Sequence, residues 1–333
     1  MTAERVEDVL DDRVLRAWHA IAPRRRIPPV VELIKGRSRP RTIWRLPGAG
    51  REGAAVIAKR CLRATVALER QVYERILPRL PVSAPHYYGY LDDDDGSAWI
   101  FLEDVGRDRV DFTDDDHRKL AARWLGTLHT SAVDVIDPDG LPDRGPVHYR
   151  RLLEAGKATI EASLHSPALT PGHRRAIEAV RRVLAVVEER WGAVEQFCEH
   201  LPRTLVHGDF RRKNILVPPG RAKPQLFAID WEFSGWGPVG PDLAPSRGPL
   251  LESHLDLPTY ASVAQERWPD SDMVTCREQV VVGGIFRRIA AVEWAARSLQ
   301  YPNPAKPVGQ LETYVPELLG ALANAPWRRG RHQ

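Results

Sequence analysis

Asp209, Asn214 and Asp230 are the residues of this chain whose types and spacing best fit a chemical task. Asp209 closes a His-Gly-Asp triplet, and Asn214 follows five residues later, directly before the apolar run 215–217. Asp230 ends the apolar run 227–229. Phosphoryl transfer needs one carboxylate beside the acceptor hydroxyl, and an amide oxygen and a second carboxylate that hold Mg²⁺ against the nucleotide phosphates. The residue order therefore predicts ATP-dependent phosphoryl transfer, with Asp209 as the base and Asn214 and Asp230 as metal ligands.

The apolar runs beside these residues are short, which is typical of buried strands. Turns between such strands can direct the three polar side chains into one cleft. A lone His-Gly-Asp triplet also occurs by chance, and Asp followed by Asn is ordinary turn chemistry. Because each of the three polar residues adjoins its own apolar run, in the order that catalysis requires, we favour the catalytic interpretation.

The motif that begins at His207, together with the Asp-Trp-Glu triplet at Asp230, resembles the aminoglycoside phosphotransferase family within the protein-kinase-like superfold. A protein kinase has arginine in place of Gly208 and Phe-Gly after the metal-binding aspartate, and the small-molecule kinases of this family differ from it in the same way. The resemblance covers residues 28–250 and is stronger in its second half. It implies a Mg²⁺-dependent phosphotransferase that uses ATP or GTP.

The resemblance also implies an ion pair that positions the nucleotide. Lys59 ends the apolar run 54–58, from which it can reach the α- and β-phosphates. Its implied partner is Glu69 on the following helix. Glu74 is the competing candidate, because helical geometry places positions 69 and 74 on different faces.

The phosphate-covering loop and the adenine-binding segment carry weaker signals. Residues 35–41 contain one glycine and lack the Gly-x-Gly-x-x-Gly pattern. Ser38 and nearby backbone N–H groups are the candidate phosphate donors, and a plain hairpin turn is the alternative. The Glu-Asp-Val-Gly segment at residues 103–106 resembles the family's hinge, so Glu103 and Val105 are the implied nucleotide-binding residues there.

Four further residues are expected to support the site. Arg211 lies two residues after the catalytic aspartate, where an arginine could stabilise charge in the transition state. His207 is expected to hold the catalytic loop by hydrogen bonding. Glu232 would either contact the metal through water or cap the local backbone. Asp242 lies in a segment that resembles the family's Gly-Asp-Pro-x-x-Asp-Leu-Ala, which implies a structural role in bracing the catalytic loop.

The hydrophobic pattern predicts a strand-rich first part and a helical remainder. In the first part we expect helices at residues 5–21 and 65–77, and strands at 30–34, 42–46, 54–58, 87–91 and 99–102. In the remainder we expect a helix capped by Thr113, and helices at 172–191, 259–268, 276–299 and 309–322. This order predicts an α+β, bilobal protein-kinase-like fold, with a small β-rich N-lobe in residues 1–103 and a larger, mainly helical C-lobe in residues 104–333.

Composition narrows the class of protein. The 333 residues are 43% hydrophobic and 28% charged, which is typical of a globular protein. No apolar run approaches a membrane span and the N-terminus lacks a signal core, so we expect a cytoplasmic protein without a membrane partner. The three cysteines fit neither a disulfide framework nor a zinc site. Basic residues are scattered among acids at a net charge of +4, so no nucleic-acid partner is expected.

The expected acceptor is a hydroxyl of a small molecule. The family resemblance implies an antibiotic of the aminoglycoside, nucleoside or peptide type, and hence a resistance function. No acidic cluster of the kind that a polycationic aminoglycoside needs stands out after residue 247. A metabolite kinase of the choline, homoserine or sugar type is the alternative. A nucleotide-binding pseudokinase is less consistent with the sequence, because Lys59, Asp209, Asn214 and Asp230 are all present.

Overall fold

The chain divides into two units, and most of the strands lie in the first. The computed structural model describes residues 7–9, 12–25, 27–36, 41–220, 223–248, 250–301 and 303–328. The first unit comprises residues 1–110 and 212–233, and the second comprises residues 111–211 and 234–333. The chain therefore enters the second unit at residue 111, leaves it for the short segment 212–233, and returns to it at residue 234. That short segment contains the two polar residues predicted to bind metal, Asn214 and Asp230.

The first unit is built on a six-stranded antiparallel sheet with the order β1-β2-β3-β4-β6-β5. Its strands are β1 (Glu7–Val9), β2 (Val31–Lys35), β3 (Thr42–Leu46), β4 (Val56–Leu62), β5 (Tyr87–Asp92) and β6 (Ser97–Glu103). β3 buries every second side chain, as a strand with one covered face should. The five predicted strands are present within two residues of their expected starts, and β1 is an additional strand.

Two helices flank this sheet, and both differ from the prediction at their ends. Helix α1 (Asp12–Ile21) packs on the sheet through Val14, Ala17 and Trp18. The predicted helix at 5–21 therefore begins later, because residues 7–9 pair with β2 instead. Helix α2 (Arg63–Gln71) continues as a π-type turn (Val72–Ile76) and a 3₁₀ turn (Leu77–Arg79).

The segment 212–233 adds a small hairpin to the first unit. Its strands β8 (Ile215–Leu216) and β9 (Phe227–Ala228) are antiparallel, and Leu216 and Phe227 pack with Val105 in a small apolar cluster. The second unit has a strand pair of its own. Its strands β7 (Arg203–Val206) and β10 (Gly235–Pro238) are antiparallel, and the sequence pattern did not predict β10.

Helices dominate the second unit. They are α3 (Asp115–Val135), α4 (Pro146–Ser163), α5 (Pro171–Glu189), α6 (Trp191–Glu199), α7 (Gly240–Leu243), α8 (Leu257–Gln265), α9 (Met273–Arg297) and α10 (Ala305–Ala323). The N-cap of α3 is Asp114 and not the predicted Thr113, because the Asp114 carboxylate accepts hydrogen bonds from the N–H groups of Asp116 and His117. Helix α9 is central to the core, where its Phe286 stacks on Tyr149 of α4 with ring centroids 4.2 Å apart.

Two glycines allow α7 and α9 to approach each other closely. A Cβ atom on Gly283 of α9 would lie 2.0 Å from the carbonyl carbon of Gly240 at the start of α7. No larger side chain fits there without moving one of the helices. One turn further along the same face of α9 is Arg287, so this contact fixes where Arg287 lies relative to α7. Among the described residues, none of the helices combines the length and the apolar character needed to cross a membrane.

Candidate active site

Lys59 and Glu69 form a buried ion pair in the first unit. Lys59 lies on β4 and Glu69 on α2, and the Lys59 ammonium contacts the Glu69 carboxylate. The same ammonium donates a hydrogen bond of 2.7 Å to Oδ1 of Asp230. Glu74, the alternative partner in the sequence, instead bonds Arg70 at 2.9 Å, one helical turn away. The carboxylates of Glu69 and Asp230, which are far apart in the chain, thus meet at the ammonium group of Lys59.

The charges of this cluster stabilise one another. Burial lowers the pKa of Lys59, but the neighbouring carboxylates of Glu69 and Asp230 outweigh it and hold the pKa above its ordinary value. Burial raises the pKa of Asp230, but Lys59 and Arg41 outweigh it, so that this pKa lies well below the usual range. Burial also raises the pKa of Glu69, to about 7, against the pull of Lys59. Lys59 is therefore cationic, and Asp230 is anionic, at neutral pH.

Asp230 adopts an unusual backbone conformation at the end of β9. Its φ is 70°, in the left-handed region that residues other than glycine rarely occupy. The preceding residue, Ile229, donates its N–H to the carbonyl of Asn214 at 2.9 Å, which joins the two predicted metal ligands through the backbone. A strained conformation of this kind persists only where the surroundings impose it, and it is common at functional sites.

Arg41 also belongs to this cluster, although the sequence pattern predicted no individual role for it. Its Nη1 lies 3.4 Å from Oδ2 of Asp230, and its Nη2 contacts the carboxylate of Glu232. The register explains its position. Ile43 of β3 lies opposite Lys59 of β4, and Arg41 is two residues before Ile43, so Arg41 and Lys59 share a face of the sheet.

The acidic groups of the cluster suit a hard divalent cation. Glu69, Asp230 and Glu232 each offer a carboxylate oxygen, and these oxygens lie within 4.8 Å of one another. The three carboxyl groups lie beside the two cations Lys59 and Arg41, and carboxylate oxygens are the ligands that Mg²⁺ prefers. The buried Asn214 lies at the end of the turn Arg212–Asn214. The donor set thus fits the metal that the sequence implied.

The remaining nucleotide-binding candidates occupy the following positions. Glu103 ends β6, and its carboxylate accepts a hydrogen bond of 3.1 Å from the N–H of His86. Val105 is buried beside Leu216 and Phe227, in an apolar cluster that could accept a flat base. Ser38 lies outside the described residues.

The catalytic motif in the second unit is held by Asp242. One Asp242 oxygen accepts the N–H of His207 at 2.6 Å, and the other accepts the N–H of Gly208 at 2.8 Å. Gly208 has a φ of 76°, which glycine adopts without strain. His207 in turn accepts the N–H of Asp209 at its Nδ1, at 3.2 Å. The loop that presents Asp209 is therefore fixed by backbone hydrogen bonds to two buried side chains.

Asp242 is itself anchored on its other side. Nε2 of His129 lies 3.4 Å from Asp242 Oδ2, and Nδ1 of His129 lies 3.0 Å from the hydroxyl of Tyr260. Burial raises the pKa of Asp242, but hydrogen bonds from His129 and the backbone of His207 outweigh it and lower the pKa. Asp242 therefore remains ionised within the core, where these partners stabilise its carboxylate.

Two arginines face Asp209. Nε of Arg211 lies 2.7 Å from Asp209 Oδ1 but at an angle that makes no hydrogen bond. Nη2 of Arg287, on α9, lies 3.7 Å from the same oxygen. The sequence motif predicted Arg211. No spacing rule could have linked Arg287 to Asp209, because only the packing of α9 against α7 brings it there.

The structure thus divides the predicted site residues into two groups. Lys59, Glu69 and Asp230 meet in the first unit, where Asn214 is joined to them through the backbone. His207, Asp209, Arg211 and Asp242 meet in the second. Glu232, which the sequence analysis expected to contact the metal through water or to cap the local backbone, contacts Arg41 in the first group. Arg41 and Arg287 are the residues that the structure adds to these groups.

Solved structures share this fold. A spectinomycin phosphotransferase in complex with ADP and spectinomycin superposes with a TM-score of 0.62 at 11% identity, over 94% of this chain and 99% of that one. An aminoglycoside 2'-phosphotransferase-IIIa in complex with GDP gives a TM-score of 0.61 at 15% identity, over 91% and 98%. An ethanolamine kinase of Plasmodium vivax gives 0.58 at 12% identity, over 87% and 82%. At these identities the likeness shows the fold.

The sequence comparisons show the family. Among curated proteins, the search found no match to the chain. Residues 30–247 match the model of the phosphotransferase enzyme family. This range is more than half of the chain, and it includes the site residues described above except Arg287. The α+β, protein-kinase-like fold and the suspected family are therefore confirmed: this chain belongs to the phosphotransferase enzyme family whose solved members include the aminoglycoside phosphotransferases.

Proposed function

We propose that this protein is a Mg²⁺-dependent phosphotransferase that moves the γ-phosphoryl group of ATP or GTP to a hydroxyl of a small molecule. The observation that carries the proposal is the contact of Lys59 with both Glu69 and Asp230. An ammonium held between a helical glutamate and a strained, ionised aspartate is the arrangement that kinases use to hold phosphates and metal.

The first unit would bind the nucleotide. Lys59 is the candidate donor to the α- and β-phosphates, and Glu69 keeps its ammonium in place. Asp230 and Asn214 would hold Mg²⁺, which supplies neutralisation of phosphate charge when it is bound. The apolar cluster of Val105, Leu216 and Phe227 offers a surface for the base.

The second unit would bind and activate the acceptor. Asp209 accepts the proton of the acceptor hydroxyl while the hydroxyl oxygen forms a bond to the γ-phosphorus. The bond from phosphorus to the β–γ bridging oxygen breaks, and the nucleoside diphosphate leaves with that electron pair. Arg211, whose Nε lies 2.7 Å from Asp209 Oδ1, would stabilise the charge of the transferring group. Asp242 and His207 fix the loop, so little conformational entropy would be lost when Asp209 meets the acceptor.

Two classes of acceptor are candidates. An antibiotic is the acceptor that the family resemblance implies, and the fold is shared with two antibiotic phosphotransferases. A metabolite alcohol is the alternative, and the fold is shared with an ethanolamine kinase as well. We place the enzyme in the cytoplasm, where nucleoside triphosphates are abundant and where the three buried thiols would stay reduced.

An acceptor-dependent ADP-release assay tests the proposal. The protein is incubated with Mg²⁺, ATP or GTP, and members of a panel of hydroxyl-bearing antibiotics and metabolite alcohols. We expect nucleoside diphosphate release that rises with one class of acceptor and disappears when EDTA removes the metal. Release that is the same with and without every acceptor would contradict the proposal, since it would indicate hydrolysis alone.

A further inference from the structure

Helix α9 carries two neighbouring arginines whose surroundings differ. Arg288 is satisfied within the protein: it binds the carboxylate of Glu317, donates to the carbonyl of Ser246 at 3.2 Å, and lies 5.3 Å from the ring of Tyr314. Within the part of the chain that the structure describes, Arg287 donates one hydrogen bond, of 2.9 Å, to the carbonyl of Pro241. Arg288 therefore serves the packing of the helices, whereas Arg287 has capacity left for another partner.

Burial of the Arg287 charge costs free energy unless a further anion binds it. A guanidinium carries five N–H donors, and within the described parts of the chain Arg287 uses one of them in a hydrogen bond. Its side chain is only 8% exposed, and its distance of 3.7 Å to Asp209 is too long for a hydrogen bond. Burial lowers the pKa of Arg287, although Asp209 and Asp242 oppose it. A buried cation of this kind is stabilised when an anion supplies the missing acceptors.

Among the described groups around Arg287, the two carboxylates offer it no hydrogen bond, although Asp209 forms a looser ionic contact at 3.7 Å. Asp242 is occupied by the N–H groups of His207 and Gly208 and by His129. Asp209 already contacts Arg211 at 2.7 Å. The remaining groups near Arg287 add no negative charge. Burial, together with the positive charges of Arg287 and Arg118, lowers the pKa of His254 to about 3, so this histidine is neutral. Burial raises the pKa of Tyr149, so this hydroxyl is neutral as well.

We propose that Arg287 binds an anionic group of the acceptor, so that the substrate of this enzyme carries a carboxylate or a phosphate besides the hydroxyl that is phosphorylated. The proposal rests on the proposed function, because it takes Asp209 as the base at the acceptor. An oxyanion could accept several hydrogen bonds from the guanidinium in the geometry that arginine favours. A polycationic acceptor would meet two arginines and one carboxylate there, and would be repelled.

The transferring phosphoryl group is the other oxyanion that Arg287 could meet, and the test must separate the two. Inorganic phosphate is titrated by calorimetry into the wild-type protein in three states: without nucleotide, with ADP and Mg²⁺, and with AMP-PNP and Mg²⁺. AMP-PNP carries its own γ-phosphate, whereas ADP leaves that position empty. Binding of phosphate in the presence of AMP-PNP therefore reports a site for an anion other than the transferring group.

The variants assign the site to Arg287. We expect wild type to bind phosphate in all three states, and Arg287→Gln to weaken that binding at least about tenfold, the value of one charge-assisted hydrogen bond. Arg287→Lys should retain part of the affinity, because it keeps the charge but loses the planar fork. The matched control is Arg288→Gln, which should lower the melting temperature and leave phosphate binding unchanged.

Three outcomes would overturn the inference: no phosphate binding by the wild type, equal binding by Arg287→Gln, or binding that AMP-PNP abolishes. The last would assign Arg287 to the transferring phosphoryl group. The nucleotide titration that precedes each experiment tests the proposed function separately. A protein that binds phosphate through Arg287 but binds no Mg²⁺-nucleotide would retain the anion site and lose the phosphotransferase assignment.

Discussion

Asp209 and Asp230 both belong to the motif, but their surroundings differ and suit different roles. Asp230 is half-buried beside Lys59 and Arg41, which hold its pKa far below the usual range and keep it ionised. Asp209 lies at the end of a loop fixed by Asp242 and His207, with its carboxylate facing two arginines. In the proposed reaction Asp230 would hold the metal, and Asp209 would accept the proton of the acceptor.

Replacing Asp209 with alanine should separate chemistry from nucleotide binding. We expect turnover to fall at least about 100-fold, because the base and its positioning are both lost, while the affinity for Mg²⁺-AMP-PNP stays at the wild-type value. Steady-state ADP release and calorimetry measure the two quantities. Asp134→Ala, which removes an exposed pair with Arg267, is the control and should change neither. Retention of more than about a tenth of the turnover would rule out Asp209 as the base.

Asp230→Asn should weaken nucleotide binding chiefly when Mg²⁺ is present. The substitution removes a carboxylate from the candidate metal ligands and leaves the Lys59–Glu69 pair in place. We expect a loss of at least about tenfold in affinity for AMP-PNP with Mg²⁺, comparable to other changes around bound metals, and a smaller change with EDTA. Glu74→Gln is the control, since it breaks only the partly exposed pair with Arg70. Equal losses in both conditions would make Asp230 a structural residue.

Sequence patterns predict site residues that lie close together within a motif. They miss residues that only the fold brings near the site. His207, Asp209, Arg211 and Asn214 lie within eight positions, so their spacing carries the prediction. Arg41 and Glu232 are 191 positions apart, and the register of β3 with β4 explains only why Arg41 lies on the same face of the sheet as Lys59. Arg287 reaches Asp209 only because α9 packs closely on α7. Such contacts have no local signal.

At the scale of the elements, the strands were predicted better than the helix ends. The alternation of buried and exposed side chains in β3 is visible in the sequence, because it follows from one covered face. Strand β10 was missed, since its Gly-Trp-Gly-Pro sequence has no strand preference and forms only by pairing with β7. The helices α4 and α6 were also not predicted. Their identity depends on packing in the core of the second unit more than on local pattern.

The approach of α7 to α9 should be sensitive to a single methyl group. In Gly283→Ala, the added Cβ would lie 2.0 Å from the Gly240 carbonyl carbon, so the helices must separate. We expect the free energy of unfolding to fall by at least about 2 kcal/mol, as in overpacked cores. Turnover should fall as well, because α7 carries Asp242 and α9 carries Arg287. Urea denaturation and ADP release measure these effects.

Gly309→Ala is the matched control for that prediction. Gly309 lies inside α10, and a Cβ there would meet no atom within 4 Å. The alanine should stabilise the protein by about 0.5–1 kcal/mol through helix propensity, with no change in activity. If both alanine variants had the same stability, the close helix contact at Gly283 would have no energetic importance.

At the scale of the whole molecule, the catalytic motif is shared between the two units. Asp209 and Arg211 belong to the second unit, and the chain passes into the first between Arg211 and Arg212, where Asn214 and Asp230 follow. The nucleotide candidates and the acceptor candidates are thereby assigned to different units of one chain. The family and the reaction type depend on the motif, so the sequence predicts them. The acceptor would, in our proposal, depend on α9 and its neighbours, for which the sequence has no local signal.

Transfer of a labelled γ-phosphate tests the central claim most directly. The protein is incubated with Mg²⁺, γ-labelled ATP and a pool of small-molecule acceptors that includes hydroxy acids, amino alcohols and antibiotics, and the products are separated by chromatography. The account predicts that the wild type moves the label to an organic phosphomonoester and that Asp209→Ala, although it binds nucleotide, does not. Label that stays in ATP, or that appears only as inorganic phosphate, would contradict the account.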